Sequence, residues 1–216
     1  TTPPQIPYRE TIKGSVTDVR YRHKKQTGGK GQFAEVVLDV NPQGRGEGFD
    51  FEDAIVGGTI PRGFIPAVEK GITETMDRGV LAGFPVVDIK VRLHDGKYHD
   101  VDSSEMAFKV AASRAFKDAV RSPQARAALL EPVMQMEVTV PEENLGDVMG
   151  DLSSRRGRPM GMEARGKYQV IKAQVPMSEV LRYSPDLRSL TGGRGDFSMR
   201  MSHYEEVPKD IAAKLM

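Results

Sequence analysis

The chain has 216 residues, enough for two modest cores, and its 31 lysines and arginines against 30 acidic residues leave a formal net charge of +1. No global charge announces a polyanionic partner, so any electrostatic footprint must be local. Cysteine is absent, which excludes disulfides, thiolate nucleophiles and cysteine-ligated zinc and favours a reducing compartment. No apolar run approaches the ~20 residues of a membrane span, and the opening TTPPQIPYRETI has no signal-peptide core. A cytoplasmic protein is expected, and the start at Thr1 in a proline-rich stretch reads as a piece of a longer polypeptide.

In chain order, residues 11–19 read as a strand, and Ala34, Val36, Leu38 and Val40 alternate along a second one. A loop with Gly44, Gly46 and Gly48 precedes a short strand at residues 49–55. These glycines fail as a dinucleotide fingerprint because they precede a strand instead of opening a helix. Ile65, Val68, Ile72 and Met76 recur at helical spacing with Gly79 as the stop, and Val87, Ile89, Val91 and Leu93 form a half-buried strand. Asp102-Ser103-Ser104-Glu105 resembles a capping box for a helix with Phe108, Ala112, Ala115, Phe116 and Ala119 on one face.

Ser122-Pro123 and Glu131-Pro132 are expected to bracket a hinge, after which the pattern restarts. Met134, Met136, Val138 and Val140 alternate in a strand that has no aromatic residue on which to stack a base. Leu145, Val148, Met149 and Leu152 mark a helix closed by Gly157. Residues 160–164 and 168–175 read as a hairpin about Arg165-Gly166-Lys167. A helical region opens at Ser178, and Ser184-Pro185 caps a fresh helix with Leu187 and Leu190. Phe197, Met199 and Met201 alternate in a last strand before a tail helix from Pro208. Strand, helix, strand, strand, helix, strand is the ferredoxin-like order.

Two polar loops stand outside these patterns. Residues 23–32 read HKKQTGGKGQ, with Lys24, Lys25 and Lys30 among Gln26, Thr27, Gln32 and the glycines Gly28, Gly29 and Gly31. Arg20 and Arg22 extend the basic stretch upstream. Residues 94–105 read HDGKYHDVDSSE, with His94, Lys97, Tyr98 and His99 around an Asp95-Gly96 pair that suggests a hairpin turn. Such groups contact phosphate, ribose and base edges. No G-x-x-x-x-G-K-[ST] occurs in the chain, so nucleotide hydrolysis is not expected of it. His94, His99, Asp100 and Asp102 could ligate a metal, and His99 with Ser103 or Ser104 could suggest a hydrolase, but capping explains residues 102–105 without chemistry. No catalytic residue, metal or cofactor is assigned to this chain. Arg155, Arg156 and Arg158 follow a helix end, where they either complement its dipole or touch RNA.

HKKQTGGKGQ, IVGGTIPRGFIPAVEKGI at residues 55–72, LAGFPVVDIKVRLHDGKYHDVDSSEMAFK at 81–109, LLEPVMQMEVTVPEENLGDVMGDLSSRRG at 129–157 and DLRSLTGGRGDFSM at 186–199 closely resemble the last two domains, IV and V, of bacterial elongation factor G. The resemblance implies an α+β chain of two domains. Residues 1–126 would be domain IV, a ribosomal-protein-like sandwich with a left-handed βαβ crossover. Residues 127–216 would be the ferredoxin-like domain V with a C-terminal helix. It implies a monomeric, membrane-free factor whose partners are the ribosome (rRNA of both subunits), tRNA and mRNA. It implies a parent GTPase whose GTP and Mg2+ belong to a domain not in this chain, and which promotes tRNA-mRNA translocation or ribosome recycling. The family's tip loops match residues 26–32 and those around His99, while Arg155, Arg156 and Arg158 fall in a domain that lies near large-subunit rRNA. Lys30 with Phe33-Ala34, and Arg182-Tyr183-Ser184-Pro185-Asp186, depart from the commoner family residues in the direction of a paralogue. The rival reading from a different class is a free-standing RNA-binding or ribosome-associated protein with no GTPase domain.

Overall fold

Residues 5–26 and 28–216 are described by a computed structural model. The chain divides into two compact units, one of Arg9–Leu129 with Val207–Met216 and one of Leu130–Glu206 with residues 5–8. This partition differs from a division at 126/127 by three residues and in both terminal segments, with the tail helix grouping with the first unit.

In the first unit, β1 (Arg9–Thr11) is short and β2 (Val16–Lys25) pairs antiparallel with β3 (Gln32–Pro42). The single strand expected over residues 11–19 is therefore broken, because Gly14 passes so close to the main chain of Gln124 that a Cβ there would lie 2.1 Å from its carbonyl oxygen. β4 (Phe49–Asp53), α1 (Ile65–Arg78) and β5 (Ile89–Lys97) follow, β4 pairing parallel with β5 and β5 antiparallel with β3. The sheet order is β2-β3-β5-β4. Parallel neighbours need a crossover, and α1 supplies it. α2 (Glu105–Arg121) lies beside α1, and α5 (Lys209–Leu215) ends the chain.

The apolar stripes expected from the sequence meet in this core. Ala34, Val36, Leu38 and Val40 of β3, Val68 and Ile72 of α1 and Phe108, Ala112, Ala115 and Phe116 of α2 are all fully buried. Alanines on α2 let it approach α1 and the sheet closely. Gly79 ends α1 at φ 83°, and the Ser104 side chain caps α2 by accepting from the Ala107 N–H at 3.1 Å.

Asp95-Gly96 does not turn. Both residues lie inside β5, opposite Val37 and Val36. A Cβ at Gly96 would come within 2.3 Å of the Glu35 carbonyl oxygen and 2.5 Å of Ile60 Cδ1, so the glycine answers close packing and not a reversal. The glycine loop before β4 is organised by Asp88, itself at φ 61°, whose buried carboxylate accepts from the Gly46 and Gly48 N–H groups at 3.1 and 3.0 Å and from Arg45. Glu10 is likewise enclosed, accepting from the N–H groups of Val80, Leu81, Ala82 and Phe84 at 2.7 to 3.0 Å.

The second unit contains β6 (Ala128–Pro141, from Leu130), α3 (Leu145–Ser154), β7 (Arg158–Arg165), β8 (Tyr168–Pro176), α4 (Tyr183–Thr191) and β9 (Asp196–Glu206). Its strands are antiparallel in the order β9-β6-β8-β7. That is the ferredoxin-like arrangement, with Met134, Met136, Val138 and Val140 packed on Val148 and Leu152 of α3 and Tyr183 and Leu187 of α4. Glu131-Pro132, expected at a hinge, lies within β6 and opposite β9. α3 ends differently from expectation: Arg156 takes the left-handed position at φ 59°, and Gly157 donates to the Leu152 carbonyl at 2.8 Å. A Cβ on Gly157 would lie 2.6 Å from that oxygen, so glycine is selected there by proximity. α4 starts at Tyr183, two residues before Pro185, which sits in the first turn where a missing N–H costs no helical bond.

Candidate nucleic-acid interface

Residues 23–26 and 28–32, with 97–103 from the second polar loop, distant in sequence, form one polar tip at the end of the β2–β3 hairpin. Pairing of those strands ends at Lys25 and Gln32. Phe33, just inside β3, donates its N–H to the Asp102 carbonyl at 3.0 Å. Ser103 completes the join. Its hydroxyl donates to the Phe33 carbonyl at 2.7 Å and accepts from the His99 N–H at 2.8 Å. Gly31 faces Asp102 so closely that a Cβ would lie 2.8 Å from Oδ2, which explains a glycine at the contact better than a need for unusual backbone angles.

Within this frame the polar side chains are oriented. His99 is 55% exposed at its side chain. Its Nδ1 accepts from the Val101 and Asp102 N–H groups at 3.2 and 3.1 Å, so in the neutral ring Nε2 carries the proton. Asp102 Oδ2 also lies 3.8 Å from Nδ1. With two amide donors already on that nitrogen, the separation records the tight loop and not an ion pair. His23 Nε2 and Gln32 Oε1 are 2.8 Å apart, which leaves the Gln32 amide N–H groups for another acceptor.

Lys24, Lys25, Gln26, Gly28, Gly29 and Lys30 are exposed, as are Lys97 at the end of β5 and Tyr98 beyond it. Gly31 is buried, and Thr27 lies outside the described residues. Among the described residues no ion pair joins Lys24, Lys25, Lys30 or Lys97 to an acid. Arg20 and Arg22, expected to extend the basic run, both bind the buried carboxylate of Glu35 on the neighbouring strand, at 2.7 and 2.9 Å, and Arg22 also lies over the Phe33 ring. His94 is not at the tip. It is in β5, with Nε2 3.0 and 3.2 Å from carboxylate oxygens of Asp18 and Asp39. The group His94, His99, Asp100 and Asp102 is thereby divided. A hydrolytic pairing also fails, because the Ser103 hydroxyl contacts the backbone N–H of His99 and not its imidazole.

The arginines of the second unit are held by acceptors of their own domain. Arg155 Nε and an Nη bind Asp151 and Asp186 at 2.9 and 2.6 Å, another Nη donates to the Glu179 carbonyl at 2.8 Å, and the guanidinium lies over the Tyr183 ring. Arg156 forms a bidentate pair with buried Glu131, both contacts at 2.9 Å, and reaches Glu179. Desolvation opposes the charged form of Arg155, yet its hydrogen bonds to Asp186 and Asp151 hold its pKa above the ordinary value; the Glu131 hydrogen bonds do the same for Arg156. Arg158 pairs with Glu205 and Gln174. These pairings with acids of the same unit are a third role for the cluster, beside the helix-dipole and RNA-contact readings.

Sequence reasoning missed Ser103 as the tie between loops, and Glu35 as the acid that absorbs two arginines. Glu35 had no signal in the alternation, since it stands on the face of β3 opposite Ala34 and Val36 and owes its burial to Arg20 and Arg22 of the paired strand.

Apart from the terminal segments, the two units correspond to two known domains. The model for elongation factor G domain IV matches residues 4–124, and that for the elongation factor G C-terminus matches residues 128–215. Among solved structures, a protein from Thermus thermophilus is similar over 99% of this chain at 45% identity and a TM-score of 0.85. The chain spans 32% of that protein's length. No described helix is long and apolar enough to cross a membrane. The chain thus belongs to the elongation factor G family, carrying the domain IV and the C-terminal domain of that translational GTPase family.

Proposed function

We propose that this chain is the ribosome-entering part of a translation factor that promotes movement of tRNA and mRNA. The tip of the first domain occupies the decoding region of the small subunit and hinders return of tRNA and mRNA. The second domain lies against large-subunit rRNA. GTP and Mg2+ belong to a different domain of the complete polypeptide, so the chemistry of this chain is conformational: it holds a position that hydrolysis elsewhere makes reachable.

The observation that carries the reading is the fused tip. Two loops are tied through Ser103 into one rigid projection, with lysines that no acid among the described residues pairs and with His99 and Gln32 left with donors. RNA presents phosphate charge for the lysines and 2′-hydroxyl and base acceptors for the donors. An enzyme site would require a nucleophile and an oriented base, and this projection brings none together.

The chain has no cysteine, so Lys30→Cys in the complete polypeptide gives that domain a unique attachment point for an iron-EDTA cleavage probe. On ribosomes, cleavage is expected in small-subunit rRNA of the decoding region. Cleavage confined to the large subunit, or absent while the factor is bound, overturns the placement.

A further inference from the structure

Outside the two loops, the first domain brings together three donor side chains that the proposed function does not use. Asp18, Asp39 and His94 offer ligand atoms that all lie within 4.8 Å of one another. We propose that they bind one divalent cation of borderline softness, with Zn2+ as the representative.

The convergence is a product of two irregularities in the sheet. β2 carries an extra residue between Val16 and Val19, so that Thr17 and Asp18 share the level of Asp39 on β3. β5 carries its own extra residue, His94, between Leu93 and Asp95, which pair with Leu38 and Val37. Bulges re-aim side chains that regular pleating would separate. Here they flank the same central strand from both sides. Asp18 adopts φ 54°, unusual for a residue with a Cβ, and its N–H donates to Asp39 Oδ1 at 2.9 Å.

His94 Nε2 is 3.0 Å from Asp18 Oδ1 and 3.2 Å from Asp39 Oδ1. It is nonetheless a fully buried nitrogen without a hydrogen bond of acceptable angle. Two oxygens close enough to bond but wrongly directed for a ring N–H are what a shared third atom would explain. Ligand atoms around a cation with bonds of about 2.0 to 2.1 Å are themselves about 2.8 to 3.4 Å apart, from octahedral to tetrahedral geometry. The two spacings from His94 Nε2 to the carboxylate oxygens, 3.0 and 3.2 Å, fall in that range. Arg92 Nη1 lies 3.5 Å from Asp39 Oδ2, which leaves Oδ1 to face His94 and gives the carboxylate an outer partner of the kind that orients metal ligands.

Donor chemistry narrows the ion. One imidazole nitrogen with two carboxylates suits Zn2+, Mn2+ or Co2+, whereas Ca2+ and Mg2+ prefer oxygen alone. The Asp18 side chain is 77% exposed while those of His94 and Asp39 are 21% and 17% exposed. Three protein ligands and an open side therefore leave room for water on the cation. Bound there, it would pin β2, β3 and β5 together.

Metal-free chain titrated with ZnCl2 at neutral pH by calorimetry is expected to bind one ion per chain, with affinity at least tenfold lower in His94→Gln and in Asp39→Asn and unchanged in His23→Gln, His99→Gln and His203→Gln. Nitrogen NMR of unmutated chain provides a readout that needs no variant: Zn2+ should displace the proton from His94 Nε2. Mn2+ should broaden the signals of Asp18, Asp39 and His94 before others. Lack of saturable binding overturns the site. So does binding insensitive to His94 and Asp39, or a His94 Nε2 that keeps its proton at saturating Zn2+, which would make the cluster an Asp-His-Asp ion pair only.

Discussion

The tip of the first domain and the arginine turn of the second contain the same kind of residue and use it in opposite ways. At the tip, Lys24, Lys25, Lys30 and Lys97 are exposed without an acidic partner among the described residues, and the rigid parts are neutral: Ser103, Gly31 and the main chain. At the turn after α3, Arg155, Arg156 and Arg158 are consumed by Asp151, Asp186, Glu131, Glu179 and Glu205. A run of cations is therefore not itself an RNA footprint. What matters is whether strands or helices beside it bring acids to the same level, as β3 does for Arg20 and Arg22 through Glu35.

The comparison breaks first at Arg156. Truncating it to alanine leaves Glu131, only 3% exposed, as a buried unpaired carboxylate, and should destabilise the second domain by about 3 kcal/mol; guanidinium unfolding followed by a probe in that domain reads the loss. A smaller effect is expected at the tip's own frame. Ser103→Ala removes one donor and one acceptor contact, costs about 1 to 2 kcal/mol, and should accelerate hydrogen exchange at the His99 amide while leaving the second domain untouched.

Tyr183 sharpens the contrast at lower cost. Its ring is buried beside Phe197 and Arg155, and its hydroxyl has no hydrogen-bond partner among the described residues. Burial, with Asp151 adding to it, raises its pKa from 10.0 to about 12. Between those values the folded chain keeps a proton that the unfolded chain has released, so stability falls as pH rises through that window. Tyr183→Phe should change stability at neutral pH by less than about 1 kcal/mol and should flatten the alkaline decline, as measured by unfolding midpoints at neutral pH and at pH 11.

The smallest effect on folding belongs to the tip lysines. Replacing Lys24, Lys25 and Lys30 by alanine should alter stability by no more than about 0.5 kcal/mol. It should weaken RNA binding, lowering the slope of log affinity against log salt by about 0.7 for each phosphate that is no longer neutralised.

Periodic segments were legible because burial follows their spacing directly: the β3 face of Ala34, Val36, Leu38 and Val40 and the α2 face around Phe108 and Phe116 are buried as patterned. Punctuation was less legible. Asp95-Gly96 has the local chemistry of a turn, but pairing with Val36 and Val37 and the space under Ile60 decide for a strand. Glu131-Pro132 was overridden in the same way by its place opposite β9. His94 looked like a loop residue because a bulge leaves no mark in composition, and Arg156 hid its left-handed backbone behind the neighbouring Gly157. At the candidate site the two loops were visible as sequence, whereas their junction through Ser103 depends on contacts 70 residues apart in sequence.

The central claim is that the tip acts on RNA movement and not on nucleotide chemistry. Single-turnover translocation and multiple-turnover GTP hydrolysis, measured on the same ribosomes with the complete polypeptide carrying His99→Ala and Gln32→Ala, test it most directly. Each substitution removes a neutral donor worth roughly 0.5 to 1.5 kcal/mol, so translocation should slow by up to about tenfold per residue where the contact is made only in the transition state, while GTP turnover stays nearly unchanged. A parallel fall in GTP hydrolysis, or no change in either rate, contradicts the account.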